Sequence, residues 1–228
     1  MHRDKLNVLV GCEASGTVRD AFAARGHNAW SCDILPSSSA GNHIVGDLLE
    51  LLHNDRRRKR WDILIAHPPC DYLCCSGLHW TTRGLRDPQL TEDALEFVRS
   101  IMAAPIPHIA VENPTGCIST RIGDKFAKDR GFTGQKATQY VQPYEFGHDA
   151  SKRTGLWLKG LPPLKPTKYI PPRMVNGKPR WANQTDSGQN RLGPGKDRAA
   201  KRAKTYEGIA DAMVKQWEEH CLKIHKKE

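Results

Sequence analysis

The sequence predicts an α/β fold, a mostly parallel sheet with helices on both faces. Two observations carry this. Short β-rich apolar runs alternate with stretches of helical periodicity along the first two thirds of the chain. The apolar runs also end, one after another, in residues with chemistry on them: Gly11-Cys12, Asp33, Asp47, His67-Pro68-Pro69-Cys70 and Glu112-Asn113-Pro114. Ligands of parallel sheets bind at the carboxyl ends of the strands, so these five endings are expected to form one site. A length of 228 residues suits one such domain with a small appended region.

The elements follow in order. Residues 5–11 (KLNVLVG) form an apolar run ending in glycine, the first strand. Residues 15–25 place Val18, Ala21 and Phe22 at helical spacing, with Gly26 as a stop. Residues 28–34 (NAWSCDI) make a second strand ending in Asp33, which completes a βαβ unit. Residues 43–52 open as a third short strand with Asp47 at its end, and the basic run 55–60 (DRRRKR) reads as a solvated loop. Residues 61–66 are the fourth strand. Residues 91–102 form an amphipathic helix with Thr91 as N-cap and Leu95, Val98, Ile101 and Met102 as its apolar stripe. Residues 108–112 are the fifth strand and 154–158 a later one. From Pro162 the chain turns rich in Pro, Gly, Asn and Lys and loses periodicity. Residues 197–222 return to helix, with Ile209, Ala212, Met213 and Trp217 on one side and Gly208 as an interruption.

Charge is concentrated. The chain carries a net +10, yet residues 151–205 hold 14 basic and 2 acidic side chains while the flanking segments are close to neutral. A basic segment on a near-neutral body is the footprint of a polyanion-binding face, and the interleaved aromatics Trp157, Tyr169 and Trp181 point to nucleic acid. No apolar run reaches transmembrane length, and the N-terminus lacks a secretory h-region, so a cytosolic protein is expected. Seven cysteines, an odd count in such a chain, read as reduced thiols.

Two half-sites emerge. The turn GCEASG, with Gly11 and Gly16, allows close backbone approach of a ligand, and Asp33 can bind ribose hydroxyls. Asp47 can accept from an adenine amino group. The glycine spacing is not that of a dinucleotide fingerprint, which disfavours NAD. On the reactive side, the stiff Pro68-Pro69 pair aims Cys70 as a nucleophile. Glu112, in a partly dry pocket, is expected to have a raised pKa and to donate a proton, and Arg153 to steady a carbonyl oxygen or phosphate.

These residues resemble the DNA (cytosine-5) methyltransferases. HPPCDYLCCSG is similar to their nucleophile motif PPCQxFSxxG, VENPTG to their ENV motif, GCEASGTVRDAF to their S-adenosylmethionine-binding motif and GDLLEL to their third motif. PYEFGHDASKRTGLWL resembles the segment carrying QxRxR, and YEGIADAMV the C-terminal IGNAV helix. The order is the family's, over about residues 7–217. The resemblance implies a Rossmann-like S-adenosylmethionine-dependent methyltransferase fold with a small, irregular, basic recognition region. It implies a catalytic domain of residues 1–161 and 198–228, the last helix folding back, and a recognition region of residues 162–197. It implies attack of Cys70 on cytosine C6, with Glu112 at N3, Arg153 nearby and a base flipped out of duplex DNA. The cofactor would lie against Gly11, Cys12, Glu13, Ser15 and Gly16, with Asp33, Ile34, Asp47 and Pro68. Nucleic acid would meet Lys152, Lys168 and Arg173, and further along Lys178, Arg180, Trp181 and Arg191.

The chain departs from the family at Asp71, Pro114, Ser151, Gly155 and Asp211, and its recognition region is short, as in a compact, phage-like enzyme of a bacterial or phage-infected cytoplasm. Other readings stay open: a methyltransferase-like DNA-binding protein without activity, an enzyme acting on single-stranded nucleic acid or a free nucleotide, and an amino-methyltransferase. The cluster His67, Cys70, Cys74, Cys75 and His79 also permits a zinc reading, although its spacing matches no common finger; no metal is assigned. No membrane and no obligate protein partner are expected.

Overall fold

A computed structural model describes residues 4–54, 61–193, 195 and 198–225. The chain runs β1 (Asn7–Gly11), α1 (Thr17–Ala24), β2 (Asn28–Asp33), β3 (His43–Val45), α2 (Leu48–His53) and β4 (Ile63–Ala66). It continues through α3 (Cys75–Thr82), α4 (Gln89–Met102), β5 (His108–Pro114), α5 (Ile118–Arg121) and α6 (Asp124–Lys128). Then come β6 (Gln139–Val141), a 3-10 turn (Pro143–Glu145), β7 (Thr154–Lys159), the hairpin β8 (Arg173–Val175) and β9 (Lys178–Arg180), and helices α7 (Arg198–Ala203) and α8 (Glu207–His225).

The main sheet has seven strands in the order β3-β2-β1-β4-β5-β7-β6. The first five pair in parallel, and β7 runs antiparallel to both β5 and β6. Registry decides where the chemistry falls. Gly11 is level with Cys32 and with Ala66, and Ala66 is level with Val111. Residues just past those positions therefore meet at one edge.

Strand alternation sorts the core into two layers. Leu9, Leu64 and Val111 face the layer filled by Leu51, Leu95, Val98, Ile101 and Met102 of α2 and α4. Val8, Val10, Ile63 and Ile65 face the other, filled by Val18 and Phe22 of α1 and by Ile209, Met213 and Trp217 of α8. Trp217 is fully buried, and its Nε1 donates to the Pro162 carbonyl at 2.9 Å.

The structure revises several elements. The fourth helix starts at Gln89 with Pro88 at its N-cap, so Thr91 is not the cap; it lies buried in the first turn. Asp47 does not end a strand: it caps α2, accepting from the amides of Leu49 and Glu50. The C-terminal helical stretch breaks before Glu207 and not at Gly208, whose amide donates to His148 Nε2 at 2.9 Å in the first turn of α8. Strand β6 and helix α3, unmarked by periodicity, are real. The basic run 55–60 lies outside the described residues. No described helix is long and apolar enough to cross a membrane.

Candidate active site

The reactive edge is built from the ends of β1, β4, β5 and β7. The His67 amide continues the β4 ladder onto the Gly11 carbonyl at 3.0 Å. On the other side, the buried Asn113 donates Nδ2 to the Pro68 carbonyl at 2.9 Å. The Pro-Pro segment is thus tied to both neighbours, and Pro68 serves β5 through its carbonyl. The chain then turns sharply: the Cys70 carbonyl accepts from Leu73 and Cys74, and α3 begins. Cys70 is half-buried at this turn.

His67 Nδ1 lies 2.7 Å from Glu112 Oε2, and both side chains are nearly enclosed. Burial works against the Glu112 charge. The hydrogen bond to His67, the Lys152 ammonium and the Thr154 hydroxyl outweigh it and hold the carboxyl below its usual range. Burial likewise opposes an imidazolium at His67, but Glu112, with Glu13 behind it, raises that ring above the ordinary histidine value against the opposing charge of Lys152. This corrects the expectation of a raised Glu112: its neighbour just past β4 is an imidazole whose hydrogen bond lowers the carboxyl.

Cys70 and Cys74 form a thiol pair. The hydrogen bond it donates to Cys74 and then burial push the Cys70 thiol up, and the charges of Cys74 and Asp71 add to this while Lys152 opposes it. Cys74 goes the other way, to about 5, because Cys70, the Ser76 hydroxyl and the amides of Ser76 and Gly77 all donate to its sulfur. Of the two thiols, Cys74 is the one more readily ionised.

Arg153 is not brought to this centre. It is exposed, with its guanidinium 3.8 Å from the centre of the Tyr140 ring. The cation felt by both Glu112 and Cys70 is Lys152, one residue earlier. A narrow cleft joins Glu112, Lys152 and Thr154 to Tyr206, just ahead of α8, and to Ile209 and Met213 within it. The more open depression at residues 133–138, with Asp124 and Lys128, contains none of the candidate residues.

The cofactor side gathers at the ends of β1, β2 and β3. Burial, then the charge of Asp33, with Cys32 and Asp47 adding, pushes the Cys12 thiol up to about 12, so these side chains share one neighbourhood and Cys12 stays neutral. Cys12 itself adopts φ 57°. Asp33 Oδ1 accepts from the Leu35 amide at 2.9 Å, and the following Ile34 and Leu35 are 74% and 59% exposed. A carboxylate flanked by uncovered aliphatic side chains fits a nucleoside: hydroxyls for the acid, a base plane for the aliphatics. Glu13 is engaged elsewhere. It is buried and caps α1, accepting from the amides of Val18 at 2.7 Å and Arg19 at 3.2 Å, with Ser15 Oγ also on it. The two glycines also have packing reasons. A Cβ on Gly11 would overlap Leu48, and one on Gly16 would overlap Arg19 and Ser39.

The basic segment presents Lys168, Arg173, Lys178 and Arg191 at the surface, with Arg180 half-buried. Arg173 pairs with Asp186 at 2.6 Å, Arg180 donates to the Asp186 carbonyl and Arg191 to that of Gln184. Trp181 corrects the sequence reading. It is buried, stacked on Tyr144, and donates Nε1 to the Ile170 carbonyl, so its faces are not open to a base.

One side chain of the candidate site escaped the sequence reading. His67 was visible only as a member of a cysteine- and histidine-rich cluster; its position one residue past the β4 end, level with Glu112, was the usable signal. Among the described residues, no group of three or more His, Cys, Asp or Glu side chains is placed to hold a metal ion.

No protein-family model matches the sequence, and no curated protein matches it. Solved structures do. The methyltransferase EhMeth of Entamoeba histolytica superposes with a TM-score of 0.50 at 13% identity, over 74% of this chain and 59% of that one. DNMT2 of Spodoptera frugiperda gives 0.43 at 13%, over 76% and 56%. The magnesium protoporphyrin IX methyltransferase ChlM of Synechocystis, with bound SAM, gives 0.43 at 12%, over 68% and 70%. The chain thus spans little more than half the length of the first two. The likeness to EhMeth is one of fold: the sheet has the Rossmann-like arrangement found in that methyltransferase.

Proposed function

We propose that the chain is an S-adenosylmethionine-dependent methyltransferase acting on C5 of cytosine in DNA. The observation that carries this reading is that the charge of Lys152 acts both on Cys70, in the turn after β4, and on Glu112 of β5, which His67 Nδ1 meets at 2.7 Å, while Cys12 and Asp33 share a neighbourhood at the ends of the adjoining strands. Bound S-adenosylmethionine supplies an electrophilic methyl group on a sulfonium. Asp33 would hold its ribose hydroxyls, with Ile34 against its adenine. Cys12 and Asp47 would line the same pocket, and Gly11, Ser15, Gly16 and Pro68 would shape its walls.

Cys70 adds to C6 of the cytosine as a thiolate, its proton passing to the Cys74 sulfur. Glu112 holds the N3 edge, and Lys152 keeps the local charge balanced. The addition makes C5 nucleophilic; after methylation, loss of the C5 proton and departure of Cys70 restore the aromatic ring. Residues 1–161 with 198–228 act as the catalytic domain. Residues 162–197 serve as a compact recognition region whose Lys168, Arg173, Lys178, Arg180 and Arg191 contact phosphates. Arg153, stacked on Tyr140, serves the same nucleic-acid face.

The test is direct. The protein is incubated with methyl-labelled S-adenosylmethionine and unmodified duplex DNA, single-stranded DNA or RNA, and the digested nucleosides are identified by mass spectrometry. Label in 5-methylcytosine, lost in Cys70→Ala, is expected. Label in N6-methyladenine or N4-methylcytosine overturns the reading, as does no label on any of the three polymers.

A further inference from the structure

We propose that His67 is a positioning residue that supplies, through Glu112, the proton N3 of the target cytosine takes when Cys70 adds to C6. This rests on the function proposed above and assigns a role to a side chain which that mechanism leaves unused.

Geometry comes first. The β4–β5 register sets His67 one residue beyond the Ala66–Val111 pair, and its Nδ1 meets Glu112 Oε2 at 2.7 Å with the two side chains only 9% and 11% exposed. The backbone on either side is fixed by the His67 amide on Gly11 and the Pro68 carbonyl on Asn113. The other ring nitrogen, Nε2, is buried without a partner among the described residues. A buried polar atom left unpaired costs free energy, and such costs are tolerated where a residue has a task. The ring is oriented by Glu112 alone.

Charge comes second. Three elements face His67 with ionisable groups: Glu112 from β5, Glu13 from the loop after β1 and Lys152 ahead of β7. Two carboxylates against one ammonium favour the imidazolium. The same partners keep Glu112 ionised, its carboxyl below the usual range despite burial. A carboxylate held in its ionised form needs a proton source, and the group in hydrogen-bond contact with it is His67 Nδ1.

The step balances. As the Cys70 Sγ–C6 bond forms, the C5–C6 π pair shifts through the ring toward N3. One Glu112 oxygen delivers a proton to N3 while the other takes the Nδ1 proton of His67. Thiolate, imidazolium and cytosine become a neutral adduct and a neutral imidazole. After methylation a solvent water takes the C5 proton, Cys70 leaves as a thiolate, and the N3 proton returns through Glu112 to His67. No oxidant or further reactant is required.

The experiment compares wild-type protein with His67→Gln, whose amide can still donate to Glu112 but carries no transferable proton. The readout is the single-turnover rate of 5-methylcytosine formation and KM for DNA from pH 5.5 to 9.5. The variant is expected to lose on the order of 10²-fold or more in rate, the usual scale of general acid catalysis, with KM little changed. Its profile should lack the alkaline limb that wild-type protein shows when His67 deprotonates. In parallel, imidazole ¹⁵N shifts in the unliganded wild-type protein should report a protonated His67 ring at pH 7 that becomes neutral in Glu112→Gln. This second readout stands even where His67→Gln fails to fold. A His67→Gln variant with wild-type rate and profile overturns the proposal alone, as does a neutral His67 ring at pH 7. Absence of 5-methylcytosine from wild-type protein on every nucleic acid overturns the functional reading, and this role with it.

Discussion

Tyr144 and Trp181 stack face to face, their ring centres 4.1 Å apart and their planes within 9°. The stack fastens the irregular segment after Pro162 to the 3-10 turn of the main body. Asn183 adds a clamp, accepting from the Ser151 amide and donating to the Ser151 carbonyl, both at 2.9 Å, immediately before Lys152. Trp181 is therefore an anchor. Trp181→Ala should cost about 3 kcal/mol in urea unfolding, as for other large-to-small changes at buried sites. Trp181→Phe should keep the stack and leave DNA affinity within a factor of two by fluorescence anisotropy. A stable Trp181→Phe protein that binds DNA tenfold more weakly would make this ring a base contact after all.

Arg19 is fully buried, and its guanidinium ties two loops together. It donates to Ser31 and Ser37 through Nη1, to Ser39 and Ala40 through Nη2, and to Asp20 through Nε. Ser39 in turn bonds the Ser15 carbonyl and Asp20. The turn at residues 12–16 and the loop at 37–41, which flank Asp33, are thus one unit. Arg19→Met should destabilise the protein by about 3 kcal/mol, since its buried acceptors lose charged partners. It should also weaken S-adenosylmethionine binding measured by calorimetry. Full stability with unimpaired binding would show that the loops hold their shape without it.

The Cys74 thiol is lowered to about 5, first by Cys70 and then, against burial, by the donors at the start of α3. A group whose folded pKa is depressed is ionised above that value. The pair should therefore lose its first proton well below the ordinary thiol range. Ultraviolet absorbance of thiolate, titrated from pH 4 to 9 in a protein whose other cysteines are serine, should show that early step. Cys74→Ala removes the main cause of the raised Cys70 thiol, so the Cys70 titration should move back down, stopping short of the free value because burial remains. A Cys70 titration unchanged by Cys74→Ala would show that the two sulfurs do not communicate.

Much of this was legible in the sequence where period and position coincide. The segments after β1, β2, β4 and β5 do fall on one edge, because parallel registry leaves them no other place, whereas Asp47 caps α2. Ile209, Ala212, Met213 and Trp217 form the buried face of α8 as their spacing requires. The failures are of another kind. Thr91 has cap chemistry, yet Pro88 with its fixed φ starts the helix first. Trp181 sits among arginines in sequence but against Tyr144 in space, and only tertiary contact decides between them. The direction of the Glu112 shift depended on His67, 45 residues away, which no local pattern reveals.

Gly155 stands where the resemblance expects a second arginine, and its surroundings explain why none is there. It is a buried position of β7, paired with Asn113 of β5 and Tyr140 of β6. A Cβ at Gly155 would lie 3.1 Å from the Trp157 ring and 3.2 Å from Ala137. The ring is held there by its Nε1 bond to the Gln135 carbonyl at 2.9 Å. The position has become core, and the cation serving the site is Lys152. Gly155→Ala should cost about 1–3 kcal/mol by overpacking, and Gly155→Arg should prevent β7 from pairing, with no gain in DNA affinity. Lys152→Met should act on chemistry instead. Lys152 lowers Glu112, so its loss lets that carboxyl rise, and the acidic limb of the methylation rate should shift to higher pH. A folded Gly155→Arg protein with tighter DNA binding, or a Lys152→Met profile unmoved on its acidic side, would return the cationic role to the position the family pattern names.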